Sequence, residues 1–155
     1  MKSSGAALSS KIPIAYIDVR VFAHATEDLD KVLTSVHNIL PPEQVDNAVF
    51  NKTDLTGHHG NPIVLIEARI KDRHVTQAVL ERLASGLSMM DKELLGNEVT
   101  DHLEKGNLYL RIDKQSAFQG VFRFSSSDSI HLRVHFKKHT SEEVVEICRR
   151  LELLP

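Results

Sequence analysis

The stretch Ile130-His131-Leu132-Arg133-Val134-His135-Phe136-Lys137 alternates apolar and polar residues without a break, and every polar member is basic or becomes so on protonation. Successive side chains of a strand point to opposite faces, so Ile130, Leu132, Val134 and Phe136 share one face while His131, Arg133, His135 and Lys137 share the other. That pattern needs a sheet covered on one side and open to water or to a partner on the other. A row of donors on the open side points to an anion.

Working outward, Ile12 to Ala23 reads as a first strand, with Ile17, Val19 and Val21 on one face and Tyr16, Asp18 and Arg20 on the other. Thr26 is the expected cap of the following helix, with Glu27 and Asp28 in its first turn, where the dipole favours acids. Its apolar stripe (Leu29, Val32, Leu33, Val36, Ile39, Leu40) ends at Pro41-Pro42. A second strand is expected within Val45 to Thr56 and a third over Ile63 to Ile70, joined as a hairpin by Thr56-Gly57-His58-His59-Gly60-Asn61-Pro62. Asp72 is placed to cap a helix whose apolar line (Val75, Val79, Leu83, Leu87, Met90, Leu94) stops at Gly96-Asn97, with Gly86 weakening its middle. Asn107 to Asp113 alternates again, with Leu108, Leu110 and Ile112 inward. Lys114 to Asp128 is a polar connection, part of which should pack down through Phe118, Val121, Phe122 and Phe124. A last helix starts near Thr140 or Ser141 and carries Val144, Val145, Cys148, Leu151 and Leu154.

The order β-α-β-β-α-β-β-α predicts an α+β fold: a single domain with a mainly antiparallel sheet and its helices packed on one face. Residues 1–11, rich in Ser, Gly and Ala, read as a flexible N-terminal tail, and residues 12–155 as one domain. The 155 residues suffice to bury a core, and the 41% hydrophobic and 26% charged content is ordinary for a globular protein. No segment approaches the ~20 apolar residues that span a bilayer, so a cytoplasmic protein without membrane contact is expected. One cysteine excludes an internal disulfide and a multi-thiolate metal site. A net charge of -2 argues against coating nucleic acid by bulk electrostatics, so anion binding has to be local. The nine histidines make the charge sensitive to mild acidification.

Parity places Arg20, Arg69, Arg111 and Arg133 on one open face with Tyr16, Tyr109, His131, His135 and Lys137. Arginine and lysine suit phosphates, and the aromatic rings suit stacked bases, which points to RNA. Asp18, Glu67 and Asp113 share the face and offer the alternative of cross-strand pairing with the same arginines. Ile63 and Leu65 also lie there, so a second subunit or another protein is a further alternative occupant.

In Gly57-His58-His59-Gly60-Asn61-Pro62 the glycines permit unusual dihedrals and both histidines sit near a hairpin tip, which suits a structural turn or a polar contact surface. Neighbouring histidines do not generally converge on one ion, and His131 and His135 lie ~13 Å apart along a strand, so no metal is assigned. Cys148 on an apolar helical face reads as a small buried hydrophobe. There is no phosphate loop ending in Lys-Ser or Lys-Thr, no Gly-x-Gly-x-x-Gly and no zincin signature, and no catalytic residue or cofactor is assigned.

Three strings together resemble a known family: Phe22-Ala23-His24-Ala25-Thr26-Glu27-Asp28 with Lys31-Val32, then Gly57-His58-His59-Gly60-Asn61-Pro62-Ile63, then Leu108-Tyr109-Leu110-Arg111-Ile112-Asp113-Lys114-Gln115. They are similar to archaeal RNA-binding proteins that are predicted exosome subunits. The resemblance implies a fold like that of the large-subunit ribosomal protein L-five, a non-enzymatic role in RNA processing or degradation, and exosome subunits as partners. It marks His58, His59, Asn61, Arg111, Lys114 and Gln115 as candidate RNA contacts, beside Arg20, Arg69, Tyr109, Arg133, His135 and Lys137 from the sheet face.

Overall fold

The computed structural model describes residues 14–41, 50–137 and 139–155. The tail reading for residues 1–11 and the first part of the expected second strand, up to residue 49, lie outside the described residues. Strand β1 (Ile14–His24) leads into helix α1 (Leu29–His37), followed by β2 (Asn51–Thr56) and β3 (Pro62–Ile70). Helices α2 (Arg73–Gly86) and α3 (Met89–Glu98) come next, and a 3-10 turn (Val99–His102) enters β4 (Leu103–Glu104). The chain finishes with β5 (Asn107–Asp113), the short α4 (Lys114–Phe118), β6 (Ser129–Phe136) and α5 (Ser141–Arg150).

The six strands form one antiparallel sheet in the order β2-β3-β1-β6-β5-β4. The alternation of β6 holds as read: Ile130, Leu132, Val134 and Phe136 are buried. Ile17, Val19 and Val21 of β1 and Leu108, Leu110 and Ile112 of β5 join them in one core with Val32 and Val36 of α1, Leu80 and Leu83 of α2, and Val144 and Cys148 of α5. Cys148 is fully buried, and burial pushes its thiol up to about 12.

Caps explain where the helices begin. Asp28, not Thr26, is the N-cap of α1, its carboxylate accepting from the Asp30 amide at 3.0 Å. Glu27 instead accepts from the His24 amide at 2.9 Å, which ties it to the end of β1. Asp72 caps α2 through the amides of His74 and Val75, and Thr140 forms a reciprocal capping box with Glu143 on α5.

The single long helix expected after Asp72 is two helices. Leu87 leaves the helix with extended dihedrals, and Ser88 starts α3 by accepting from the Asp91 amide at 3.1 Å. Gly96 and Asn97 therefore lie inside α3, where Gly96 lets Pro155 approach; a Cβ there would meet its ring carbon at 3.4 Å. Gly86 ends α2, and the Phe122 ring covers it so closely that an added Cβ would fall 2.4 Å from the ring. Gly86→Ala is expected to lower stability by about 1–3 kcal/mol through overpacking, against the ~1 kcal/mol that helix propensity alone would add. Chemical denaturation measures the sign.

Two elements were not expected. Lys105 and Gly106 both have positive φ, 54° and 81°, which folds Leu103–Glu104 back on β5 as a tight hairpin. In the Lys114 to Asp128 connection α4 forms, Phe122 is buried and Phe124 partly so, while Phe118 and Val121 remain exposed.

Candidate nucleic-acid interface

Strand register sets the open face residue by residue. Arg20 of β1 stands between Glu67 of β3 and His131 of β6, and His131 in turn faces Arg111 of β5. The next row carries Arg69, Asp18, Arg133 and Tyr109, and the one beyond carries Tyr16, His135 and Asn107. A cleft of about 1210 Å³ opens over the first two rows. Its floor includes Arg20, Arg69, Arg111, Arg133, His131 and Tyr109, and its far rim is built by Leu94, Glu98, Asp101, His102 and Glu104. The helix that follows the break at Ser88, the 3-10 turn and β4 supply this acidic part of the lining.

Asp18 divides the arginines into two classes. Its Oδ1 accepts from Arg69 Nε at 2.7 Å, and its Oδ2 from Arg69 at 2.9 Å and from Arg133 at 2.6 Å. Burial raises the Asp18 carboxyl, but the two guanidiniums outweigh it and hold the group below the usual carboxylate range. Arg69 also lies 4.0 Å from the Tyr16 ring centroid, and His135 stacks on the same ring at 5.0 Å. The Tyr16 ring is thus already stacked with His135 and in contact with Arg69. Asn107 Oδ1 fixes His135 through Nδ1 at 2.8 Å.

Arg20 and Arg111 are in the other class, with no ion pair among the described residues. Glu67 faces Arg20 in register without an ion pair between them, and Asp113 is spent as the N-cap of α4, bonded to the Ser116 amide at 2.9 Å and its hydroxyl at 2.7 Å. The expected cross-strand neutralisation therefore holds for two of the four arginines. His131, partly buried between them, is held below its ordinary pKa by burial and by Arg111 and Arg20. Tyr109 is 38% exposed and offers an open ring beside them.

The three strings that carry the family resemblance meet at one end of the sheet, where β1 and β5 finish and β3 begins. Here Lys114 departs from its expected role as an RNA contact. It is buried, and its Nζ donates to Glu27 Oε1 at 3.0 Å, to Asp128 Oδ1 at 3.0 Å and to the Phe22 carbonyl at 2.8 Å. Asp128, in the left-handed region at φ 42°, also takes His24 Nε2 at 3.0 Å. His24, Glu27 and Asp128 have their ligand atoms close enough for a metal ion, but the Lys114 ammonium already bonds both carboxylates. The charge that the sequence offered to a partner is used internally, and Lys114 leaves the set of candidate contacts.

At the same end, His58 and His59 are exposed at the hairpin tip with rings edge to face at 5.1 Å. The Gly57 amide donates to the Asn61 carbonyl, and Gly60 has φ 81°, so the glycine pattern serves the turn. Gln115 is exposed on α4, and Lys137 is exposed at the opposite end of the sheet. Of the expected contacts, the cleft gathers Arg20, Arg69, Tyr109, Arg111 and Arg133, while His58, His59, Asn61, Gln115, His135 and Lys137 lie outside it.

A family model described as RNA binding matches residues 16–136, from the first open-face tyrosine to the end of β6. The chain belongs to this RNA-binding family. It is 35% identical over 147 residues to an RNA-binding protein of Pyrococcus abyssi, covering 92% of this chain and 96% of that one. Among solved structures it is similar to a DUF54 protein from Methanothermobacter thermautotrophicus, with TM-score 0.72 and 26% identity over 92% of this chain and 98% of the other. A Sulfolobus solfataricus protein matches with TM-score 0.70 and 27% identity over 88% and 96%. Among the described residues no helix is long and apolar enough to cross a membrane.

Proposed function

We propose that this protein binds single-stranded or looped RNA in the cleft over the open sheet face, without catalysing a reaction on it. The carrying observation is that Arg20 and Arg111 stand there without ion pairs among the described residues, next to the open ring of Tyr109. Backbone phosphates suit the guanidiniums and an unstacked base suits the ring. The carboxylates of Glu98, Asp101 and Glu104 on the rim accept hydrogen bonds from base amino groups and repel phosphates, which favours one orientation of the strand. His58, His59, Asn61 and Gln115 provide a second contact area at the sheet end, with His135 and Lys137 on the other side of the cleft.

Fluorescence anisotropy with a labelled oligouridylate tests the reading. Affinity should fall as salt rises, with a log-log slope of about -1.4 or steeper for two or more phosphate contacts. No binding at ~50 mM salt would overturn it. Asp18→Asn in the same assay is expected to release Arg69 and Arg133, raising affinity and steepening the slope by up to ~1.4. An affinity loss would instead mean that the Asp18 clamp orients those arginines for RNA.

The family resemblance extends the reading to RNA processing or exosome-linked degradation, with exosome subunits as partners and an L-five-like relationship of the fold. Affinity purification from an archaeal extract, with and without nuclease, tests that association; partners retained after nuclease bind the protein directly. A homodimer covering the sheet face is the competing use, and adding RNA should then dissociate it in sedimentation runs.

A further inference from the structure

Three acids alternate onto the open face beside the arginines, on β1, β3 and β5, and two of them are occupied. Asp18 is held by Arg69 and Arg133, Asp113 caps α4, and Glu67 makes no ion pair among the described residues. One row carries three donors side by side, Arg20 on β1, His131 on β6 and Arg111 on β5, directly opposite one another in register, with Glu67 of β3 next to Arg20 and no ion pair between those two. Adjacent strands lie ~4.8 Å apart, so the row spans ~10 Å with the imidazole at its centre. All three residues border the cleft, and none of the three side chains makes a hydrogen bond among the described residues.

We infer that Arg20, His131 and Arg111 form a phosphate subsite that takes one RNA backbone phosphodiester over β6, His131 gaining a proton from solvent as the phosphate arrives. The inference rests on the RNA-binding reading and adds to it the position of one phosphate and the proton that accompanies it. Both guanidiniums reach the phosphate oxygens from the flanking strands, where arginine's fork donates two hydrogen bonds to one group. The free site disfavours imidazolium because His131 is partly desolvated between two cations. A phosphodiester supplies the missing negative charge, and the same contact then favours the protonated ring.

The other charged groups around His131 do not supply that charge. Arg133, two residues along β6, adds positive charge and is paired to Asp18 in the neighbouring row. Glu67 lines the same cleft as the direct cross-strand neighbour of Arg20, but it is two strands from His131 and makes no ion pair with Arg20. Glu98, Asp101 and His102 stand on the far rim, with His102 Nδ1 bonded to the Tyr109 carbonyl and Nε2 3.8 Å from Glu98. Across the sheet the row therefore runs from acid to cation to imidazole to cation, and all four residues line the cleft.

The test follows the His131 ring signal by NMR across pH in the full chain, free, with oligouridylate, and with the same oligomer carrying an uncharged methylphosphonate backbone. The oligouridylate is expected to move the His131 titration midpoint upward, and the uncharged oligomer to leave it in place. Affinity for oligouridylate should rise from pH 7.5 to 5.5 by about threefold or more in the wild type relative to His131→Asn, whose side chain cannot protonate. Oligouridylate binding with an unmoved His131 midpoint would overturn the subsite while leaving the RNA reading intact. Absence of oligouridylate binding at any pH overturns both. An equal midpoint shift with the uncharged oligomer would assign the effect to base contact and overturn the phosphate assignment.

Discussion

Lys114→Met should lower the unfolding free energy by about 2 kcal/mol, below the 3–5 typical of a fully buried broken pair because the two carboxylates keep some water. For a chain of this size that corresponds to a Tm lower by about 4–8 °C. The ammonium holds Glu27 and Asp128 together with the Phe22 carbonyl, so removing it leaves two facing acids at the junction of β1, α1, α4 and β6. The loss depends on pH. Burial raises the Asp128 carboxyl, but hydrogen bonds from Lys114 and His24 outweigh it and depress the group below its usual value. A depressed carboxyl contributes stability above its unfolded pKa and loses it as pH falls through the folded one. The difference between wild type and variant should therefore be full at pH 7 and shrink below pH ~4. Thermal melts at the two pH values measure it, while RNA affinity at low temperature should change far less than in the arginine variants below, because the Lys114 ammonium is buried against Glu27 and Asp128.

Arg20→Gln combined with Arg111→Gln should weaken oligouridylate binding about a hundredfold at low salt, each lost charge-assisted contact costing about 1.4 kcal/mol. The salt slope should flatten by ~1.4 in the same titration, since two phosphate contacts are gone. Both side chains are exposed and make no ion pair among the described residues, so the fold should tolerate the exchange; circular dichroism checks this. Arg69→Gln with Arg133→Gln should cost much less affinity, because Asp18 already occupies both. Equal losses from the two pairs would contradict the division that Asp18 makes.

The parity of β1, β5 and β6 was fully legible, because a one-residue slip would have turned every apolar side chain outward. The occupation of the acids on that face was not. Asp18, Glu67 and Asp113 look alike in alternation, yet Asp18 clamps two arginines, Asp113 caps a helix and Glu67 does neither. Register and the start of α4 decide these roles, and neither follows from a period of two. Lys114 shows the same limit at longer range: its partners Glu27 and Asp128 lie 87 and 14 residues away, and only the assembled sheet joins them. The split at Ser88 did have a local signal, a capping serine three residues before Asp91, which the continuing apolar line concealed. Lys105-Gly106 was likewise a turn signal hidden by the shortness of the strand it serves.

The burial of Cys148 has a practical side for mapping the RNA path. With Cys148 fully buried, the native chain presents no accessible thiol at neutral pH. A cysteine introduced at exposed Ser126, on the cleft border, would be the single labelling position of the molecule. A spin label or photoreactive group placed there reports on whatever enters the cleft, without prior removal of any native residue.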